Sequence, residues 1–328
     1  MEPLNTLALF GACGPIGQSI AAALSAQGRR FRVVGREAGR LQAAYGANPL
    51  AECVTWNPDS PASIRAAARG VDTLVYLVGV PYWHFDRHPQ LMQRTLQAAI
   101  DAGVRRVVLI GTIYPYGRVQ GGNPVREDHP RQPHTFKGRM RLAQEELLLQ
   151  AHAAGRIQAT VLRLPDFYGP GVLTSLLHGA ACAAVRGGTA DMLGPIDAPH
   201  EFLYVPDAGP VVVRLADTPA AYGRTWHLAG AGATTQRALV QEMERLTGRP
   251  LKLRVAGRGT LRLLGLFSRL MREMVEMHYL LSEPLLMDDS ALSQLIGPLR
   301  KTSYAEGIRQ TLAAVPATAP LRRSARPA

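Results

Sequence analysis

Apolar residues in the first half of this 328-residue chain fall into short runs separated by longer stretches with helical spacing. The runs predict strands at Leu7–Phe10, Phe31–Val34, Thr73–Val78, Arg106–Ile110 and Gln158–Leu164. Between them, recurrence at three and four residues predicts helices at Ile16–Gln27, Ser63–Ala68, Pro89–Ala102 and Arg139–His152. Strands alternating with helices of this length specify βαβ units, hence an α/β fold with a doubly wound parallel sheet. Right-handed crossovers place the strand C-termini, and any ligand, along one edge.

After residue 171 the pattern loosens. It predicts a helix over Leu173–Arg186, a short helix near Ala208–Ala216, a strand near Arg224–Leu228 and a helix over Thr235–Thr247. Thr260–Leu281 carries Leu, Phe and Met at helical spacing with Arg and Glu between, which predicts one amphipathic helix packed into a core or domain interface. The division expected is 1–168 for a nucleotide domain, with 200–230 returning to it, 169–316 for a smaller α/β substrate domain, and 317–328 for a loose tail rich in Pro, Ala and Arg.

The first strand runs into Gly11-Ala12-Cys13-Gly14-Pro15-Ile16-Gly17 and then a helix. Strand, glycine-rich turn and helix in that order cradle a dinucleotide pyrophosphate. Gly11 permits the turn, Gly14 lets the backbone approach the phosphates, and Gly17 lets the helix lie close to the strand. Pro15 suits the first helical turn, whose positive dipole end favours an anion. A carboxylate that would read the adenine ribose 2′-hydroxyl is absent from the tip of the second strand, where Gly35-Arg36-Glu37 follows Val34. Arg36, with Arg40 a turn later, suits a 2′-phosphate, so NADP(H) is expected over NAD(H), although Glu37 keeps NAD(H) open.

Composition narrows the classes further. A net charge of +12 comes almost entirely from arginine, since only Lys137, Lys252 and Lys301 are lysines. The arginines are scattered and no nucleic-acid motif accompanies them, which points to solubility or an anionic ligand. Cys13, Cys53 and Cys182 form neither a disulfide framework nor a zinc pattern and fit a reducing cytoplasm. No basic leader precedes the first apolar run, and no span of about 20 apolar residues occurs, so neither a signal peptide nor a membrane partner is expected.

The order of motifs resembles the extended short-chain dehydrogenase/reductase family of NAD(P)-dependent sugar-nucleotide epimerases and dehydratases. The residues that carry the resemblance are Gly11, Gly14 and Gly17, Val75-Tyr76-Leu77-Val78-Gly79-Val80, Ile110-Gly111-Thr112-Ile113-Tyr114-Pro115-Tyr116-Gly117, Arg163-Leu164-Pro165-Asp166-Phe167-Tyr168-Gly169-Pro170-Gly171 and His200-Glu201-Phe202-Leu203-Tyr204-Val205-Pro206-Asp207. It implies a Rossmann-type nucleotide domain, a second domain for a small-molecule substrate, and a homodimer paired through helices. It also places Cys13, Ile16, Val78, Gly79 and Leu164 beside the cofactor, and Asn57 where the family has an acid against the adenine.

The resemblance breaks at the catalytic helix. Family catalysis uses Ser or Thr with a Tyr and a Lys four residues apart; here Thr112 takes the first role, but Lys137 stands at the Tyr position and Arg141 at the Lys position. Lys137 could act as general acid/base, since Arg141 one turn away and partial burial favour the neutral amine. Another phenol could substitute, with Tyr114, Tyr116, Tyr82 and Tyr168 at or beside strand C-termini. Or no redox chemistry remains, and the chain is a silent NADP(H)-binding regulator or scaffold. Arg141 cannot release a proton at neutral pH, which suits cofactor binding better than catalysis.

Tyr82, Trp83 and His84 are expected to line the substrate cleft, with Tyr168, Asp166 and His200 as candidates for its far wall. His84 and His88 have the spacing of two metal ligands on a helix face, yet Pro89 follows and no third ligand is evident, so no metal is expected. Glu145-Glu146 read as helix-surface charges.

Overall fold

The computed structural model describes residues 6–119 and 124–317; residues 318–328 of the expected tail lie outside them. Strand β1 (Leu7–Phe10), helix α1 (Pro15–Ala26), β2 (Phe31–Gly35), α2 (Ala38–Tyr45), β3 (Ala51–Thr55), α3 (Pro61–Ala68) and β4 (Thr73–Tyr76) follow in strict alternation. Then come α4 (Arg87–Asp101), β5 (Arg106–Thr112), α5 (Phe136–Ala153) and β6 (Gln158–Leu164). Short strands β7 (Asp166–Tyr168), β8 (Thr189–Leu193) and β9 (Phe202–Tyr204) bracket α6 (His178–Arg186). After α7 (Val205–Asp217), β10 (Thr225–His227) returns to the first sheet. The chain continues with α8 (Gln236–Thr247), β11 (Lys252–Ala256), α9 (Arg258–Leu264), α10 (Arg269–Met277), α11 (Tyr279–Ser282), α12 (Ser290–Ile296) and α13 (Tyr304–Ala313).

Two compact units emerge. One holds the chain up to Pro165 with Pro206–Ala229 and Leu285–Arg300; the other holds Asp166–Val205, Gly230–Pro284 and the chain from Lys301. The first unit contains a seven-stranded, all-parallel sheet in the order β10-β6-β5-β4-β1-β2-β3. This is the expected α/β, Rossmann-type doubly wound sheet. Leu7 pairs with Phe31 on one side and Thr73 on the other, so the strand order reverses between β1 and β4. Such a switch point opens a crevice at the strand C-termini, between the loops after Phe10 and Tyr76. Phe10, Val34, Leu74, Leu109, Val161 and Leu148 are buried in the core of this unit.

Two elements escape the periodicity. Strand β3 lies at the sheet edge with no residue fully buried and Glu52 and Thr55 exposed, and Glu52 binds Arg32 of β2 there (2.9 Å). An edge strand with one polar face carries too few apolar residues to be legible. Helix α2 is eight residues long and buries only Leu41 and Tyr45.

In the second unit β8 pairs with β11 and β7 with β9, and a separate core gathers Ala180, Ala184, Met192, Phe202, Leu239, Met243 and Ile308. The helix expected over Leu173–Arg186 begins only at His178. The single amphipathic helix expected over Thr260–Leu281 is corrected to three. Gly265 ends α9, and Ser268 caps α10 by accepting from Met271 N (3.4 Å). The predicted apolar stripe is split: Leu263, Leu264, Leu266, Phe267 and Leu270 are exposed, while Leu261, Met277, Leu280 and Leu281 are buried. No helix among the described residues is long and apolar enough to cross a membrane.

Candidate active site

The glycine loop stands at the switch point. Gly11 adopts φ +93°, and a Cβ there would meet Leu77 backbone at 2.9 Å, so the turn presses against the loop after β4. A Cβ on Gly17 would come within 2.4 Å of the Ala12 carbonyl oxygen, which holds α1 against the loop. A Cβ on Gly14 would make only an ordinary contact, 3.7 Å from Gly11 O, and one on Gly79 would meet nothing within 4 Å, so the glycine backbone forms an uncrowded trough beside the first turn of α1. Pro15 is the first residue of that helix and Ile16 is buried behind it. The Tyr45 hydroxyl donates to Ala12 O (2.6 Å) and fixes the loop from below. The partly exposed Cys13 thiol is pushed up by burial, against the pull of Arg40.

Arg36 is exposed directly after β2, and Arg40 pairs with Glu37 at 3.6 Å. Asn57 lies in the turn after β3, where its Oδ1 accepts from Asp59 N (2.9 Å). Val78 and Gly79 form the loop after β4, and Leu164 ends β6 as a buried residue.

Thr112, Tyr114, Tyr82, Lys137 and Arg141 come together in the first unit. Thr112 Oγ1 accepts from Tyr114 N at 3.3 Å. The hydroxyls of Tyr114 and Tyr82 are hydrogen-bonded at 3.0 Å. Lys137 Nζ lies 5.6 Å from the centre of the Tyr82 ring, and Arg141 lies over Phe85 at 5.8 Å. Helix α5 delivers both cations. Thr135 caps it by accepting from Gly138 N (3.0 Å), and a Cβ on Gly138 would fall 2.8 Å from Tyr114 O, so only glycine lets the helix approach the Tyr114 turn. Lys137 is 1% exposed. Arg141 Nη1 donates to Gln144 Oε1 (2.7 Å), while its Nε is buried without a hydrogen-bond partner. Burial lowers the Arg141 pKa, against the opposing influence of Tyr114, Tyr76, Glu145 and Tyr82.

A polar network missed by the sequence reading runs behind this group. Glu145, taken for a surface charge, is buried, and Arg163 grips it with Nε (3.1 Å) and Nη2 (2.5 Å). Arg163 Nη1 donates to the Tyr116 hydroxyl (2.5 Å), whose proton goes to His227 Nε2 in a short hydrogen bond. His227 Nδ1 then donates to Asp288 O (3.1 Å), the neutral tautomer that the chain of donors requires. The signal that could have found it is Gly111 within β5, where a Cβ would stand 3.2 Å from Glu145 Oε1.

Two buried histidines make stability pH-dependent. Burial, with Arg163 adding to it, pulls His227 down to about 3; burial, with Arg141 adding, pulls His88 down to about 2. Below the unfolded value near 6.5 the unfolded chain binds protons that the folded one refuses, so stability falls with falling pH through this window. From pH 6 to pH 5 each histidine is expected to remove about 1 kcal/mol. Urea unfolding at several pH values checks this: His88→Leu should flatten the slope, and an unchanged slope would reject the assignment.

Other candidates lie elsewhere. His84 is exposed in a single 3-10 turn, whereas His88 is buried edge-on to Phe85 at 4.7 Å; no metal-binding cluster occurs among the described residues. In the second unit, Tyr168 is an interior residue packed under Gly307, which places its ring in the core and not on an open wall. His200 Nε2 pairs with Asp166 Oδ2 at 2.9 Å.

Comparison with known proteins gives the family and the fold. Residues 7–229 match the NAD dependent epimerase/dehydratase family. The chain is 28% identical over 260 residues to a dTDP-6-deoxy-L-talose 4-dehydrogenase (NAD(P)(+)) of Kitasatospora kifunensis, covering 75% of this chain and 80% of the relative. Its fold is shared by DesIV, a dTDP-glucose 4,6-dehydratase of Streptomyces venezuelae solved with NAD (TM-score 0.79, 19% identity, 94% and 96% of the two chains). It is shared as well by UDP-glucuronic acid 4-epimerase of Bacillus cereus, solved with UDP-glucuronic acid and NAD (TM-score 0.79, 17% identity, 94% and 98%). With a glycine-cradled switch point and a family match across more than half its length, this chain belongs to the NAD dependent epimerase/dehydratase family.

Proposed function

We propose that this chain is an oxidoreductase that binds NADP(H), with NAD(H) as the second choice, and moves a hydride between the nicotinamide and a carbonyl or secondary alcohol of a nucleoside-diphosphate sugar. The single observation that carries the reading is the Tyr114–Tyr82 hydroxyl pair at 3.0 Å, flanked by Lys137 and Arg141. The phenol that the helix lacks at position 137 is supplied by neighbouring loops, and the two helix cations remain beside it.

The glycine trough and the N-terminus of α1 fit a diphosphate bridge. Arg141, held against Phe85 and Gln144, keeps a buried cation beside the two phenols. Arg36, exposed after β2, suits a 2′-phosphate, while Arg40 holds Glu37. When bound, the nicotinamide supplies the hydride acceptor or donor. Thr112 Oγ1 would orient the reacting oxygen, and the Tyr114 phenol would exchange the proton, relayed by the Tyr82 hydroxyl. Lys137 and Arg141 would stabilise negative charge developing on the phenolic oxygen. The dTDP-sugar activity named for the 28% identical relative supports the substrate class.

The test combines calorimetric titration with NADPH and NADH and single-turnover oxidation of the bound reduced cofactor by dTDP-4-keto sugars. Tyr114→Phe is expected to slow oxidation about a hundredfold while leaving cofactor affinity unchanged. Persistence of the bound reduced cofactor in the parent with every keto sugar would instead favour the silent binder that Lys137 at the family Tyr position suggests.

A further inference from the structure

The α9–α10 hairpin presents an apolar tip that the proposed chemistry does not use. Phe267 is 88% exposed, Leu266 68% and Leu263 62%, with Leu264 and Leu270 beside them. All five fall within residues 263–270, so the exposure is concentrated in one stretch, the end of α9, the turn and the start of α10. An apolar cluster of this kind marks a binding surface more often than an isolated exposed leucine does.

The projection is preorganised. Leu261 and Met277 are buried at its base, and Arg272 Nε donates to Gly265 O (3.1 Å) across the turn. Gly265 is required there, because a Cβ would lie 3.0 Å from Arg272 Cα. Arg262 and Arg272 line a shallow cavity with Gly265, Leu266 and Val275, which sets both arginines beside Leu266 of the apolar tip.

Charge identifies what covers it. From Arg245 to Arg272 the sequence holds eight cations and not one Asp or Glu; the first acids beyond are Glu273 and Glu276 on α10. Arg245 and Arg254, paired with Glu242 and Asp191, lie away from the tip in sequence; Arg258, Arg262, Arg269 and Arg272 sit on the two helices that carry it. An apolar projection of Leu and Phe in a field of arginine matches the two layers of an anionic bilayer surface, phosphates outside and acyl chains beneath. Arginine stems can lie along the apolar tip while their heads reach the phosphates.

We propose that the α9–α10 hairpin seats the protein on anionic lipid bilayers, with Leu266 and Phe267 entering the interfacial region and Arg258, Arg262, Arg269 and Arg272 meeting lipid phosphates. The seat is peripheral and reversible, since one short hairpin buries too little to hold irreversibly.

Flotation of the full chain with vesicles of phosphatidylcholine plus phosphatidylglycerol, against phosphatidylcholine alone, tests this. The parent should float with the mixed vesicles, the bound fraction falling as salt is raised. Phe267→Asp should weaken binding about tenfold or more, and Arg262→Gln with Arg269→Gln should do so only where the anionic lipid is present. Unchanged melting temperatures in these surface variants and unaltered NADPH titration separate the result from misfolding and from failure of the nucleotide site. No flotation of the parent, or equal flotation of Phe267→Asp, overturns the proposal. So does a parent that fails to float and is dimeric in sedimentation velocity, with Phe267→Asp monomeric, because a second copy then covers the tip.

Discussion

Glu145→Gln is expected to lower the unfolding free energy by about 3–5 kcal/mol, although the substitution changes one atom. Glu145 and Arg163 are both about fully buried, and the carboxylate takes two of the guanidinium donors. Removing its charge leaves Arg163 as a buried cation without that counter-charge, one of its donors now facing the amide NH2 and another on a phenol that it shares with His227. The desolvation of both ions is already expressed in the native fold, so losing one partner costs far more than the pair contributes net. Urea unfolding measures the loss, and the double variant Glu145→Leu with Arg163→Met should recover most of it. A double variant no more stable than Glu145→Gln would defeat the ion-pair account. The same network joins α5, the turn after β5, β6 and β10, so partial recovery of the cofactor titration should track recovery of stability.

Gly17→Ala is expected to reduce NADPH affinity by at least about tenfold and to cost about 1–3 kcal/mol of stability. A methyl group at this position would stand 2.4 Å from Ala12 O and 2.8 Å from Ala12 C, atoms of the backbone that no rotamer change can move aside. Relief requires α1 to shift away from the glycine loop, and the first turn of that helix then leaves the diphosphate it should face. Gly14→Ala makes a useful contrast, because its added carbon would be 3.7 Å from Gly11 O and would intrude on the trough instead of the fold. Calorimetry should therefore show Gly14→Ala losing affinity at nearly unchanged melting temperature. Parental affinity in both variants would remove the trough from the nucleotide site.

Much of this was legible from residue pattern. The buried strands β1, β2, β4, β5 and β6 are near-continuous apolar runs because helices cover both faces of a parallel sheet, and such runs betray themselves. The glycine loop was legible because close backbone approach admits no side chain at Gly11 and Gly17. Glu145 was misread because a carboxylate on a helix is usually solvated, and its burial depends on Arg163 arriving from a strand eighteen residues later. The outward turn of Leu263, Leu266 and Phe267 was misread for a related reason: periodicity reveals that a helix has an apolar face but not which way it points.

By itself the sequence determined the α/β class, the order of the buried strands in the first half, and the position of the glycine turn, because these follow from local spacing and from glycine sterics. Tertiary structure alone decided which side chains meet: the Tyr82 and Tyr114 hydroxyls come from separate loops, and Lys137 and Arg141 from a helix. It alone closed the relay from Glu145 through Arg163 and Tyr116 to His227, whose members are spread over more than a hundred residues. Contacts of that kind are set by sheet register and by how closely helices can approach, quantities that no local window of residues contains.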